Sequence, residues 1–172
     1  MSDVAQAIID TTALLSYLAI ERPEVYQETI GFLLSTKMVM RECAETPLKE
    51  KLARLFEGKK IYLASPSLDS LAKMASQGDT ADRLSAGEIS ALALTDQVSG
   101  TLLTDPAPPN MKAEALLGSH RVLETVYVLF QAYQRGELTG EDLDAIEQRL
   151  GILSYRFAVP LRQTFEELAS KG

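Results

Sequence analysis

The sequence predicts an α/β fold in which a central parallel sheet carries helices on both faces. Three observations lead there. Short apolar runs alternate with longer amphipathic ones along the chain. Two apolar runs, AIID and TLLTD, stop on an aspartate, and open parallel sheets build their sites outside the carboxyl ends of strands. The 172 residues are 46% hydrophobic and 24% charged, the balance of one soluble globular domain with an adequate core.

Val4 to Ile9 reads as the first strand, ending at Asp10. Thr11 to Ile20 follows as a helix, with Leu14, Leu15, Leu18 and Ala19 at helical spacing and Thr11 or Thr12 able to cap it. A second helix starts near Pro23, a residue suited to the first turn, and carries Val25, Ile30, Leu33 and Leu34 as its apolar positions. Lys37 to Met40 reads as the second strand, leading into Glu42. Lys59 to Ala64 is a clearer strand after Gly58, Pro66 to Met74 a helix, and Ala75 to Ser85 a polar loop. Ser85 then opens the most legible helix, with Glu88 three residues on at the spacing of a capping box. Thr101 to Thr104 is a short buried strand that stops at Asp105, and the Pro-rich run to Asn110 reads as a loop before a helix over Met111 to Leu117. Arg121 to Leu123 is the last expected strand, followed by a helix to Arg135 that Gly136 terminates. Thr139 caps a helix to Leu150, with Glu141 and Asp142 in its first turn where the dipole favours anions, and a final helix spans about Pro160 to Ser170.

Composition narrows the chemistry. The formal net charge is −7, from 17 basic and 24 acidic residues, which argues against coating nucleic acid by bulk positive charge. No apolar run approaches the roughly 20 residues that span a bilayer, and MSDVAQAIIDTT lacks the features of a signal peptide. One cysteine, Cys43, excludes an internal disulfide and fits a reducing compartment. One histidine, His120, makes a His-rich zinc site or a His-based triad unattractive. Catalysis, if present, rests on carboxylates.

Four carboxylates stand out. Asp10 and Asp105 end two strands, Glu88 opens the helix that feeds the second of them, and Glu42 follows the expected second strand. Clustered acids resist ionising together unless a cation compensates, and hard ions such as Mg²⁺ or Mn²⁺ prefer oxygen ligands and activate water for phosphodiester hydrolysis. Each acid also has a plain structural role open to it. Asp10 can cap a helix, Glu88 can complete a capping box, Asp105 before Pro106 can start a turn, and Glu42 with Glu45 and Glu50 can form a solvated face.

IIDTTALLSYL, the acid in RECAE, LSAGEISALAL and TLLTD together resemble the PIN-domain nucleases, which include VapC-type toxins. The similarity is to a prokaryotic PIN subgroup with a Gly-Glu pair opening the helix before the last acidic strand and a C-terminal helical extension. It implies a PIN-like three-layer α/β/α domain over 1–172, with an α/β core at 1–124 and the extension at 125–172. It also implies a Mg²⁺- or Mn²⁺-dependent, cytoplasmic ribonuclease in which Asp10, Glu42, Glu88 and Asp105 hold the metal, with Glu45 as fallback. Thr11 and Thr104 would support them by hydrogen bonding. The implied partners are an RNA substrate, an antitoxin protein and a second copy of the chain, without a membrane. One segment departs from the pattern. Where the subgroup continues with a second Asp and a run of arginines, this chain has Pro106-Ala107-Pro108-Pro109-Asn110, and its first base is Lys112.

That departure, with the acidic balance, supports a rival: a PIN-fold module that binds nucleic acid or protein without turnover. A phosphatase-like reading wants an Asp two residues after the first, and Thr12 stands there. Cys43 is expected to be buried and His120 to lie at the surface. Tyr127, Phe130 and Tyr133 are expected to pack on the sheet, and Lys49, Lys51, Arg54, Lys59 and Lys60 form the best candidate for contact with an RNA backbone.

Overall fold

The structure, a computed structural model, describes residues 6–58, 60–77, 84–105 and 108–171. Its centre is a five-stranded, all-parallel sheet in the order β3-β2-β1-β4-β5, built from β1 (Ala7–Ile9), β2 (Leu33–Ser35), β3 (Tyr62–Leu63), β4 (Thr101–Leu103) and β5 (Val122–Leu123). In the middle, Ala7 pairs with Leu33 on one side and with Thr101 on the other. Parallel pairing requires long crossovers, and helices supply them: α1 (Thr11–Ile20), α2 (Pro23–Ile30), α3 (Lys37–Ala44), α4 (Lys49–Glu57), α5 (Leu68–Ala75), α6 (Ala86–Gln97) and α7 (Pro108–Leu117). After β5 come α8 (Thr125–Gln134), α9 (Gly140–Gly151) and α10 (Leu161–Ala169). The expected three-layer α/β/α architecture is what forms.

The central strands have no polar face. Ala7, Ile8, Ile9, Leu33, Leu102 and Leu103 are all buried, as a sheet covered by helices demands. α6 packs against α3, α5 and α7, while α1 and α2 meet the C-terminal α8 and α9. From β1 the order runs outward to β2 and β3 on one side and to β4 and β5 on the other. The β1–β4 boundary is therefore a topological switch point, where such sheets open a crevice.

Several boundaries differ from the sequence expectation. The second strand is Leu33–Ser35, and Lys37–Met40 begins α3. Thr36 decides this, because its hydroxyl accepts from the Val39 N–H and starts a helix whose Val39, Met40 and Cys43 face the core. α1 is capped by Asp10 and not by Thr11 or Thr12. The third strand is confined to Tyr62–Leu63; Lys59 lies outside the described residues, as do 78–83 of the expected polar loop. α7 begins at Pro108, inside the run expected to be a loop, since proline is compatible with a helix's first turn. Pro106 and Ala107 lie outside the described residues. Phe130 and Tyr133 pack against the core, edge-on and tilted against Phe165 of α10, and Tyr127 is exposed. Cys43 is buried, which pushes its thiol up to about 12, and His120 is exposed.

Candidate functional site at the carboxyl ends of β1 and β4

β1 and β4 run side by side, and each ends on its aspartate at the switch point. Asp10 is buried and caps α1: one oxygen accepts from the Ala13 N–H at 2.9 Å and the Thr12 hydroxyl at 2.8 Å, and the other from the Thr104 hydroxyl at 2.5 Å. Burial dominates its electrostatics. It raises the carboxyl from 3.8 to about 7, against three hydrogen bonds that favour the anion, and the charge of Asp105 adds to the rise.

Asp105 is 1% exposed and turns towards the start of α8. One oxygen accepts from the Thr125 N–H at 2.8 Å; the other accepts from the Thr125 hydroxyl at 2.9 Å and from the Ser16 hydroxyl. Ser16 also lies 3.1 Å from the hydroxyl of Tyr155, whose phenol is pushed up mainly by burial and next by the charge of Asp105. A segment after α9 thus reaches back across the whole chain to this acid.

Glu42 has its own set of donors. Its carboxylate sits at the N-terminus of α6, where it accepts from the Gly87 N–H at 2.7 Å, the Ser85 hydroxyl at 3.1 Å and the Thr11 hydroxyl at 2.5 Å. This explains the glycine of the Gly-Glu pair. A Cβ at position 87 would meet the Glu42 carboxylate, with its Cδ at 2.7 Å and Thr11 Oγ1 at 2.6 Å. Glu88 accepts from the Ser85 N–H at 2.7 Å while its own N–H donates to the Ser85 hydroxyl, so the expected capping box is formed. Glu88 and Asp10 do share a seam, with Leu84, Leu92, Leu102, Thr104 and Ala113, but it has no room for a water. Glu45 is exposed at the C-terminal end of α3.

A divalent ion needs several oxygen lone pairs aimed at one point. Among the described residues, no three His, Cys, Asp or Glu side chains come together in this way. The donors explain why. Hydroxyls and N–H groups of the chain already occupy both oxygens of Asp10, Glu42 and Asp105, and Glu88 is bent back into its cap. As they stand, these residues do not fit a metal ion.

Beside Asp105 lies a cavity of about 590 Å³, lined by Thr12, Leu15, Asp105 and residues 153–157. The rings of Tyr155 and Phe157 lie 6.1 Å apart at 26°. Arg156 spends one nitrogen on the carbonyls of Gly151 and Tyr155 and has no acid partner among the described residues.

The residues that sequence reasoning missed are mostly hydroxyls. Thr12 and Ser16 are four apart on α1 and so share one face, and that spacing was available to read. Nothing local marks Thr125 or Tyr155. Thr11 and Thr104 do hydrogen-bond to Glu42 and Asp10.

The sheet order and the two strand-end aspartates define an α/β protein with buried acids at the switch point of its sheet. The PIN-domain family model matches residues 6–170, and the chain belongs to that family, whose fold is of the nuclease type. Its structure is similar to the crystal structure of PAE2754 from Pyrobaculum aerophilum, with a TM-score of 0.54 and 12% identity over 76% of this chain and 97% of that one. No curated protein matches the sequence.

Proposed function

We propose that this chain is a PIN-fold nucleic-acid-binding module in which the four acids hold the structure together instead of a metal ion. The observation that carries this is that donors of the chain itself engage both oxygens of Asp10, Glu42 and Asp105, three donors to each carboxylate. The binding surface is the 590 Å³ cavity, where the Tyr155 and Phe157 rings offer stacking to unpaired bases and Arg156 offers its free guanidinium edge to a phosphate. Single-stranded RNA suits such a cavity better than a duplex, whose bases are already stacked. With a net charge of −7, binding is weak and salt-sensitive.

A second reading keeps the ribonuclease, VapC-like and paired with an antitoxin. One observation favours it: Asp10 and Glu88 line one seam, and burial leaves the Asp10 anion in want of a nearby positive charge. It requires these carboxylates to turn their remaining lone pairs towards one point.

One experiment separates the two. A short fluorescein-labelled single-stranded RNA is titrated by anisotropy in EDTA and in Mn²⁺, and then examined on a gel. The binding reading expects the same affinity in both, a weaker one for Arg156→Gln, intact RNA, and a Tm that Mn²⁺ leaves in place. Mn²⁺-dependent cleavage that disappears in Asp10→Asn would overturn it in favour of the ribonuclease.

A further inference from the structure

Residues 152–160 join α9 to α10 without helix or strand. Their burial alternates. Leu153, Tyr155 and Phe157 are half-buried and pack against the core, while Ile152, Ser154, Arg156 and Ala158 are exposed. That is the pattern of an extended segment laid with one face on a surface. Both ends are tied to α9. At the start, the N–H groups of residues 152–155 donate to the carbonyls of Arg149, Leu150 and Gly151; at the end, the Leu161 N–H donates to Glu147 at 2.7 Å. Between the ties the backbone is loosely held. Among the described residues, the N–H groups of 156–159 meet no acceptor. Ser154 holds a φ of 65°, a left-handed conformation that a residue with a Cβ seldom adopts.

Among the described residues, this strap reaches the α/β core by hydrogen bonding at one atom, the Tyr155 hydroxyl, 3.1 Å from that of Ser16. Ser16 donates in turn to Asp105, so the strap is pinned over a strand-end acid that is 1% exposed. The strap also lines two cavities. One is the 590 Å³ space towards α1 and Asp105; the other, of about 600 Å³, lies towards Asp144, Glu147 and Gln148 of α9. Unbonded N–H groups, half-buried side chains and adjoining empty space mark a segment whose local opening costs little. Opening has a consequence for the rings. Tyr155 and Phe157, 6.1 Å apart, pack on each other while the strap is down, and no base fits between them.

We infer that residues 152–160 form a gate: a strap that closes the cavity beside Asp105, is pinned there by the Tyr155 hydroxyl on Ser16, and rises to admit a ligand. The gate takes the identity of its ligand, though not its motion, from the RNA-binding reading above. Because only the raised form is competent, the fraction raised scales the apparent affinity.

The motion is tested without RNA, by limited trypsin digestion of the full chain under native conditions. The rate of cleavage after Arg156 follows the population of the raised strap. Tyr155→Phe keeps the ring and removes the pin, so it should speed this cut several-fold and leave Tm unchanged. Ser16→Ala removes the pin from the other side and should act likewise, and combining the two should add nothing further. Access is tested by anisotropy with the labelled single-stranded RNA. Tyr155→Phe should bind it several-fold more tightly than wild type, whereas a tyrosine that only packs or stacks would give equal or weaker binding. Cleavage after Arg156 at one rate in wild type and Tyr155→Phe would overturn the gate, and so would a faster cut with RNA binding no tighter than in wild type. A pin-dependent cut with no RNA binding in any variant would support the gate and overturn the RNA-binding reading instead.

Discussion

Asp10 and Glu42 belong to one acid set in the sequence, Glu42 with Glu45 as its fallback, and the structure gives them opposite surroundings. Glu42 is half-buried and meets the N-terminus of α6, where a backbone N–H and the helix dipole welcome an anion. Asp10 also caps a helix, but it does so 2% exposed, beside another aspartate, and its carboxyl rises to about 7. The same functional group thus latches a helix end in one place and sits half-protonated in the core in the other. Solvent access and donor type decide which, more than the strand or helix that carries the residue.

The largest effect should come from removing the Asp10 charge. Its folded pKa lies above its unfolded value of 3.8, so the unfolded chain releases the proton first as pH rises. The resulting penalty on the fold is absent below about pH 4, grows up to about pH 7 and stays level above it; it is of order 4 kcal/mol if the whole shift is realised. Asp10→Asn escapes this penalty, so its stability relative to wild type should rise from pH 4 to pH 8, as urea unfolding at several pH values would record. A pH-independent difference would break the contrast with Glu42.

Next is Gly87→Ala, which forces the Glu42 carboxylate off the helix end. Overpacking plus a lost charged hydrogen bond should cost about 3 kcal/mol. Glu42→Ala should cost about 2 kcal/mol by leaving the Gly87 N–H and two hydroxyls without their acceptor. Because both changes strike one contact, a double-mutant cycle should show Gly87→Ala costing less in the Glu42→Ala background; strict additivity would deny the latch. The smallest effect is Thr125→Val, about 1 kcal/mol, since Asp105 keeps the position-125 N–H and Ser16. A thermal melt resolves it.

How much of this was legible follows from the range of each interaction. The Ser85–Glu88 capping box is a three-residue pattern, and it could be read directly. The strand-end aspartates were legible because AII and TLL are short apolar runs that stop abruptly. β2 was misplaced because LLSTKMVM holds two apolar pairs, and only the Thr36 cap shows which one is the helix. The hydroxyl partners were beyond local reading. Thr104 meets Asp10, and Ser16 meets both Asp105 and Tyr155, through tertiary contacts between segments about 90 or more residues apart.

The strand order also sets a timetable for synthesis. β1 leaves the ribosome well before β4, yet its Ile8 and Ile9 pair with Leu102 and Leu103 of β4, about ninety residues later. Until that partner emerges, the most apolar strand of the protein has only β2 on one flank and an open edge on the other. The nascent chain therefore passes through a stage with a sticky, half-made sheet. That makes β1 the place where a chaperone would act and where a stalled or truncated product would aggregate first.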